Sequence, residues 1–146
     1  MNVAGQDWRL DELGVVGGGL VLALTSFLPW YEARVDLRAV ELRGWDLGFA
    51  AVVAVLLAAY AAGRVVVFKG RPQRPDVPVT PAAETFTASA AALSLVAYRL
   101  LDRPEVPGSL AVRTNWLVLG AFAVLVQAVA AGNLLRRTGL RPAPPE

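Results

Sequence analysis

The sequence predicts an all-α membrane protein, a bundle of four transmembrane helices that carries a short β-hairpin in its first extracytoplasmic loop. The chain has 146 residues, of which 55% are hydrophobic and 18% are charged, and its mean hydropathy is +0.49. Soluble domains usually carry about 25% charged residues. The apolar residues fall into four blocks, each close to the roughly 20 residues that a helix needs to cross the hydrocarbon core. We therefore expect one membrane domain over residues 1–146.

The first predicted span covers residues 13–31 and contains no charged residue. Pro29 near its end tends to terminate a helix, because proline has no backbone N–H. Trp30 and Tyr31 follow, and such amphipathic rings favour the headgroup region of a membrane. The acidic stretch before the span lacks the basic region of a signal peptide, so we expect this span to be retained.

A charged loop, residues 32–46, follows the first span. Apolar and charged side chains alternate along it with the period of a β-strand. The alternation predicts a two-stranded hairpin on the membrane surface, and such a pair needs a bundle or a partner beneath it because isolated hairpins are marginally stable. The apolar members of the alternation are Val35, Leu37, Val40 and Leu42.

Three further spans are predicted at residues 47–68, 81–101 and 115–135. The third of these spans consists mainly of Ala, Ser and Thr, so we expect it to contact neighbouring helices instead of facing lipid on all sides. A basic, proline-rich linker at residues 69–78 precedes it and is expected to be irregular. The tail, residues 136–146, is also basic and proline-rich, and we expect it to be disordered.

Arginine and lysine residues predict the orientation, because cytoplasmic loops carry an excess of them. The N-terminus, the linker and the tail together carry more of these residues than the two loops on the opposite side. The first helix taken alone indicates the reverse. We expect a multi-pass protein of the cell membrane with both termini in the cytoplasm. This orientation predicts an outer-face aromatic cluster of Trp30, Tyr31, Trp45 and Trp116.

Tyr60, Ser89 and Gln127 lie at similar predicted depths, near the centre of the bilayer. Polar side chains of this kind form hydrogen bonds between helices, and each contact contributes about 0.6 kcal/mol. We therefore predict a mid-membrane polar cluster that holds the helices together. A polar path for a small solute is the alternative, and it is less favoured because none of the three side chains titrates in the relevant range.

Glu84 is the one acidic residue inside a predicted span. A carboxylate within a membrane raises the hypothesis of proton or cation coupling. Glu84 lies only one turn into its helix, however, where the helix dipole favours an acid. Arg64, at the cytoplasmic end of the preceding span, is its natural partner, and we predict an interfacial ion pair between the two.

Small residues recur at four-residue spacing, which is typical of helices that pack closely in membranes. Gly14 and Gly18 form such a pair in the first span, and Ala128 and Gly132 form another in the fourth. We favour packing within one chain, with a dimerisation face as the alternative. The second span carries a longer row of the same kind, formed by Ala50, Ala54, Ala58 and Ala62.

The composition excludes several kinds of chemistry. The chain has no cysteine and no histidine, so it has no thiolate nucleophile, and it lacks the commonest general base and zinc ligand. The net charge of +2 is too small to indicate binding to nucleic acid. No catalytic constellation is present in the sequence. We expect no enzyme activity, no cofactor, no metal and no nucleic-acid partner.

Four short motifs carry a family resemblance. They are FLPWY at the end of the first span, GW at the start of the second, YRLLDRP at the end of the third and LLRR at the end of the fourth. Over residues 20–137 the chain resembles a class of small four-helix integral membrane proteins that is common in actinobacteria. The resemblance implies this topology and a cell-membrane location, and it implies no activity. The first loop is more highly charged than is usual in that class.

These observations lead to two functional hypotheses. The first is a non-enzymatic accessory or scaffold protein that lies in the lipid bilayer and associates with another membrane protein or with a second copy of itself. The second is a small oligomeric transporter or channel, with a polar path between its helices. A hydrated cavity that reaches the middle of the bundle favours transport, whereas a closed bundle opposes it.

Overall fold

Four helices and a small sheet form the fold. A computed structural model of the protein describes residues 2–3, 6–35, 38–70, 79–106 and 109–139. The helices are α1 (Leu10–Thr25), α2 (Phe49–Lys69), α3 (Val79–Leu101) and α4 (Asn115–Gly139). Each helix packs against the next one in the chain, and α4 packs against α1, so the four form a closed ring.

Only α2 and α4, among the described residues, are long and apolar enough to cross a membrane. α1 has 16 residues, which give it a length of about 24 Å, shorter than the hydrocarbon core of about 30 Å. α3 has 23 residues, but its hydroxyl-bearing side chains, together with Glu84 and Arg99, make it less apolar than a membrane span. The prediction of four transmembrane helices is therefore wrong.

α1 ends at Thr25 and not at Tyr31, where the first predicted span ended. The hydroxyl of Thr25 donates to the carbonyl oxygen of Leu22 at 3.0 Å, and that of Ser26 donates to a carbonyl one turn back at 2.6 Å. A strand begins at Pro29. The apolar run continues across this change from helix to strand, and an apolar run alone does not distinguish the two.

A three-stranded antiparallel sheet covers one end of the helix ring, which we call the sheet end. It consists of β3 (Pro29–Val35), β4 (Arg38–Arg43) and β7 (Val112–Arg113), in the order β4-β3-β7. β3 and β4 form a hairpin in the region where the sequence predicts one, whereas the third strand was not predicted. Leu37, one residue of the predicted alternation, lies outside the described residues.

Short strands form two further antiparallel pairs. β1 (Asn2–Val3) pairs with β2 (Gln6–Asp7), and β5 (Glu105–Val106) pairs with β6 (Ser109–Leu110).

A 3₁₀ turn, Gly44–Leu47, leads from the sheet to α2. Gly48 follows it with φ of +83°, a conformation that other residues rarely adopt. The predicted boundaries of the second and fourth spans agree with α2 and α4 within a few residues. Most of the predicted linker and the predicted disordered tail lie outside the described residues.

α1 packs against α4 through glycine. A Cβ atom at Gly18 would lie 2.6 Å from the carbonyl oxygen of Ala123, and a Cβ atom at Gly14 would lie 2.7 Å from the Cβ atom of Ala130. Gly132 on α4 instead faces the ring of Phe86 on α3. These glycines therefore face helices of the same chain, as in the favoured interpretation of their spacing.

Candidate functional site

At the end of the ring opposite the sheet, ion pairs between side chains join the helices, and we call this end the ionic end. Two acids on α1 meet one base from α2 and one from α4. Lys69 Nζ lies 3.1 Å from Glu12 Oε2, and Arg137 Nε lies 3.1 Å from Asp11 Oδ2. Arg137 Nη2 is also 3.6 Å from Glu12 Oε1. The Glu12 side chain is completely buried and Lys69 is nearly so, so this cluster joins three helices inside the protein.

Helix ends explain why these charges meet. Asp11 and Glu12 lie in the first turn of α1, while Lys69 and Arg137 lie in the last turns of α2 and α4. Acids are favoured at the N-terminus of a helix and bases at the C-terminus. Glu12 Oε2 also accepts a hydrogen bond of 3.0 Å from the backbone N–H of Arg9, which caps α1.

Sequence reasoning missed the ionic end. It placed Lys69 in a solvated linker and Arg137 in a disordered tail, whereas both belong to helices. The available signal was the placement of acids before the first apolar block and of bases directly after the second and fourth. That placement matches antiparallel neighbours whose helix ends of opposite polarity lie side by side.

A second polar group lies between α2 and α3. An amino group of the Arg64 guanidinium contacts Glu84 Oε2, and the Tyr60 hydroxyl donates to the same oxygen at 3.3 Å. The guanidinium carbon also lies 5.0 Å from the centre of the Phe68 ring. The structure thus brings Arg64 and Glu84 together at the predicted place. Their side chains are 29% and 42% exposed, so the pair lies on the outside of the ring.

Gln127 fills the centre of the ring. Its side-chain N–H donates to the carbonyl oxygen of Ala58 at 2.9 Å, which connects α4 to α2 across the middle. Gly18 and Gly19 leave room for it, since a Cβ atom at Gly19 would lie 2.9 Å from the Gln127 amide nitrogen. The other amide atom, Oε1, is buried without a hydrogen-bond partner among the described residues.

The predicted polar cluster of Tyr60, Ser89 and Gln127 is divided among separate partners. Tyr60 donates to Glu84 on the surface, and Gln127 donates to Ala58 in the centre. The Ser89 hydroxyl is buried and donates to a backbone carbonyl one turn back in α3, at 2.8 Å. Each of the three donor groups is therefore occupied by a different acceptor, and Tyr60 lies on the outer surface.

The predicted outer-face aromatic cluster is also divided. Trp30 and Tyr31 are completely buried. The Trp30 indole N–H donates to the carbonyl oxygen of Thr25 at 2.8 Å, and the Tyr31 hydroxyl donates to a backbone carbonyl of α3. Trp45 is half-buried beside Phe27, with ring centres 5.6 Å apart. Trp116 is exposed on α4.

The outward sides of α3 and α4 differ in chemistry. Between residues 118 and 129, every exposed side chain of α4 is apolar. The outward side of α3 instead carries polar groups beside the exposed apolar side chains of Phe86 and Leu101, and we call these polar groups the α3 face. A groove of about 450 Å³ runs beside it, between α2 and α3. The α3 face consists of Thr80, Glu84, Thr87, Ser94 and Tyr98.

Three hydroxyl groups on the α3 face, those of Thr87, Ser94 and Tyr98, have their donors occupied and their oxygens open. Thr87 and Ser94 donate to backbone carbonyls one turn back, at 2.9 and 3.0 Å. Near the sheet end, a hydrogen bond with Asp102 raises the pKa of the exposed Tyr98 phenol above its ordinary value. The oxygens of this face are available to donors from outside.

Metal binding finds no support in the described part of the chain, where no group of three or more acidic, cysteine or histidine residues comes together. No family model, curated protein or solved structure matches the chain. The resemblance to four-helix membrane proteins therefore stays a prediction.

Proposed function

We propose that the protein is a non-enzymatic accessory or scaffold protein of the cell membrane, held in the bilayer by α2 and α4, which docks on another membrane protein through the α3 face. The observation that carries this proposal is the difference between the apolar outward side of α4 and the polar outward side of α3. Lipid chains offer no hydrogen-bond donors, whereas a partner helix with polar side chains does.

Exposed apolar area supports the membrane location. In the most apolar 18-residue windows of α2 and α4, only 39% and 50% of the residues are buried. A core helix of a soluble protein would bury most of its apolar residues, and large exposed apolar patches mark membrane or protein contacts. The exposed residues include Leu56 and Val67 on α2, and Phe122 and Val129 on α4.

The half-exposed ion pair supports a protein partner on the α3 face. Ionised side chains in contact with lipid are costly, so they face protein or water in membrane proteins. Arg64 and Glu84 neutralise one another but keep exposed atoms. A partner that covers the groove beside them removes these atoms from lipid, and its donors satisfy the open oxygens of Thr87 and Ser94.

Packing in the centre of the ring argues against the transporter alternative. A polar path along Gln127 needs space for water, yet Gly18 and Gly19 approach Gln127 so closely that one added carbon would collide with it. The centre is filled by this side chain and by the carbonyl oxygen of Ala58. A proton-coupling role for Glu84 is likewise opposed by its surface position beside Arg64.

Carbonate extraction tests the membrane location. We expect the full-length protein to stay in the membrane pellet at alkaline pH and to require detergent for release. Recovery in the carbonate supernatant would reject the proposal.

Cysteine labelling tests the orientation, and the chain has no native cysteine to interfere. We propose that the ionic end faces the cytoplasm, as the clustered bases near Lys69 and Arg137 suggest. In intact cells, an impermeant maleimide should label Glu41→Cys on the sheet and leave Gly139→Cys unlabelled until the cells are opened. The reverse pattern would invert the orientation.

Site-specific photocrosslinking tests the α3 face. A photoreactive phenylalanine analogue is placed either at Ser94 on α3 or at Phe122 on the apolar side of α4, both of which are exposed. We expect a discrete protein adduct from Ser94 and none from Phe122. Equal protein adducts at both positions, or an adduct from Phe122 alone, would exclude docking through the α3 face.

A further inference from the structure

A cleft at the sheet end contains two opposite charges that do not pair with one another. It has a volume of about 570 Å³ and lies where β7 leads into α4. Glu32 and Arg113 line it together with Trp116 and Leu119. The Arg113 Nε atom is buried without a hydrogen-bond partner. Within the described part of the chain, neither Glu32 nor Arg113 has an ion-pair partner.

Strand geometry keeps these two charges apart. Glu32 lies opposite Val112 in the sheet, and Arg113 lies opposite Tyr31. Because successive residues of a strand point to opposite faces, the two charged side chains leave the sheet on opposite sides. Both residues nevertheless line the same cleft, where the end of β7 leads into α4. A ligand that carries both a positive and a negative group can therefore satisfy both side chains at once.

The position of the cleft relative to the bilayer also indicates a particular kind of ligand. α4 has 25 residues, a length of about 37 Å, whereas the hydrocarbon core is about 30 Å thick. If α4 crosses the membrane, its first turn lies among the lipid headgroups. Trp116 and Leu119 are 43% and 42% exposed and continue the cleft along α4 in the direction of the hydrocarbon core.

We infer that this cleft binds the headgroup of a zwitterionic aminophospholipid such as phosphatidylethanolamine. Arg113 binds the phosphate with its forked guanidinium, and Glu32 accepts a hydrogen bond from the ammonium group. Trp116 covers the glycerol region, and Leu119 contacts the beginning of an acyl chain. This inference rests on the proposed membrane location, and it adds a lipid ligand that stands apart from the α3 face.

Native mass spectrometry of the full-length protein in detergent tests the inference with dioctanoyl phosphatidylethanolamine and dioctanoyl phosphatidylglycerol as probes. Both lipids carry a phosphate, and only the first carries an ammonium group. We expect the wild-type protein to bind the ethanolamine lipid about tenfold more tightly, which corresponds to one charge-assisted hydrogen bond. Equal binding of the two lipids would overturn the inference.

Two substitutions separate the roles of the charges. Glu32→Gln should remove the preference and leave binding of the glycerol lipid unchanged. Arg113→Gln should weaken both lipids about tenfold, while Arg113→Lys, which keeps the charge, should retain the preference. Arg43→Gln, on an exposed residue of β4 that lies opposite Pro29 in the same sheet, is the matched control and should bind as the wild type does. A preference that survives Glu32→Gln would contradict the assignment.

The two proposals fail in different ways. A protein that carbonate releases from the membrane contradicts the proposed function. A protein that stays in the membrane but binds both lipids equally contradicts only the lipid site.

Discussion

The two ends of the helix ring are closed by different forces. At the ionic end, Glu12 and its partners join three helices through buried charges. At the sheet end, the central contacts among the described residues are made by Trp30 and Tyr31 together with backbone hydrogen bonds. The Thr114 N–H donates to the carbonyl oxygen of Trp30 at 3.0 Å, and the Thr114 hydroxyl donates to that of Pro29.

The ionic end is sensitive to single substitutions because its buried groups are charged. The sheet end tolerates single substitutions better because its buried groups are neutral. Removing one member of a buried ion pair leaves an uncompensated charge in a medium of low dielectric constant. Removing one neutral hydrogen bond from an aromatic and backbone network costs less, because the remaining contacts persist. The ends therefore differ in how steeply stability depends on individual atoms, although both hold the same helices.

Breaking the ionic end should produce the largest effect. Glu12→Gln removes the buried carboxylate charge that contacts Lys69 and Arg137, and we expect the unfolding free energy to fall by about 3–5 kcal/mol. Denaturation of the purified protein in mild detergent, followed by far-ultraviolet circular dichroism, measures this loss. Glu41→Gln, an exposed acid on β4, is the control and should change stability by less than about 0.5 kcal/mol. Similar stability of the two variants would show that the buried ion pairs of the ionic end do not stabilise the helix ring.

The seam between α1 and α4, which connects the two ends, should respond next. Gly18→Ala places a methyl group 2.6 Å from a carbonyl oxygen of α4, and we expect a loss of about 1–3 kcal/mol from overpacking. Gly17→Ala is a close control, because nothing lies within 4 Å of its added carbon. Alanine is a better helix former than glycine, so that control should gain up to about 1 kcal/mol. The same denaturation assay ranks them, and equal effects would refute the close packing.

Trp30→Phe removes from the sheet end the indole N–H that donates to Thr25, together with part of a completely buried ring. We expect a loss of about 1 kcal/mol from the hydrogen bond and a further loss of about 1 kcal/mol from the cavity. Combined with Glu12→Gln, its cost should add within about 0.5 kcal/mol, because the ends share no contacts. A large departure from additivity in this double-mutant cycle would mean that the ionic end and the sheet end are energetically coupled.

The smallest effect should come from the exposed ion pair between α2 and α3. Glu84→Gln removes the partner of Arg64 where both side chains are partly exposed, and we expect a loss below about 1 kcal/mol. Salt should reduce the difference between this variant and the wild type, whereas the cost of Glu12→Gln should persist at high salt because Glu12 is buried. An equal salt response in both variants would remove the distinction between a buried and an exposed ion pair.

Hydrophobic blocks and strand alternation predicted most of the secondary structure. α2 and α4 lie within a few residues of their predicted positions, and the hairpin of β3 and β4 occurs where side chains alternate. The contact between Arg64 and Glu84 was also anticipated, because it joins helices that are consecutive in the chain.

Contacts between residues far apart in the chain could not be predicted from the sequence. Trp30 was assigned to the headgroup region by its chemistry, but the structure buries it completely, with Gly44 and Gly120 close to its ring. Glu12 was treated only as part of the acidic stretch before the first span, because the bases that pair with it belong to two later helices. Composition gave the length of each apolar run, but it did not reveal that α1 stops at Thr25 and continues as a strand.

The composition of the sheet has a consequence for the order of events during synthesis. β3 and β4 are neighbours in the chain, whereas Thr114 reaches Pro29 across 85 residues and Tyr31 reaches Arg99 across 68. The hairpin emerges from the ribosome long before either partner exists. For that interval its buried tryptophan is uncovered, and the time needed to translate α2 and α3 sets how long a chaperone or the translocation machinery has to shield it.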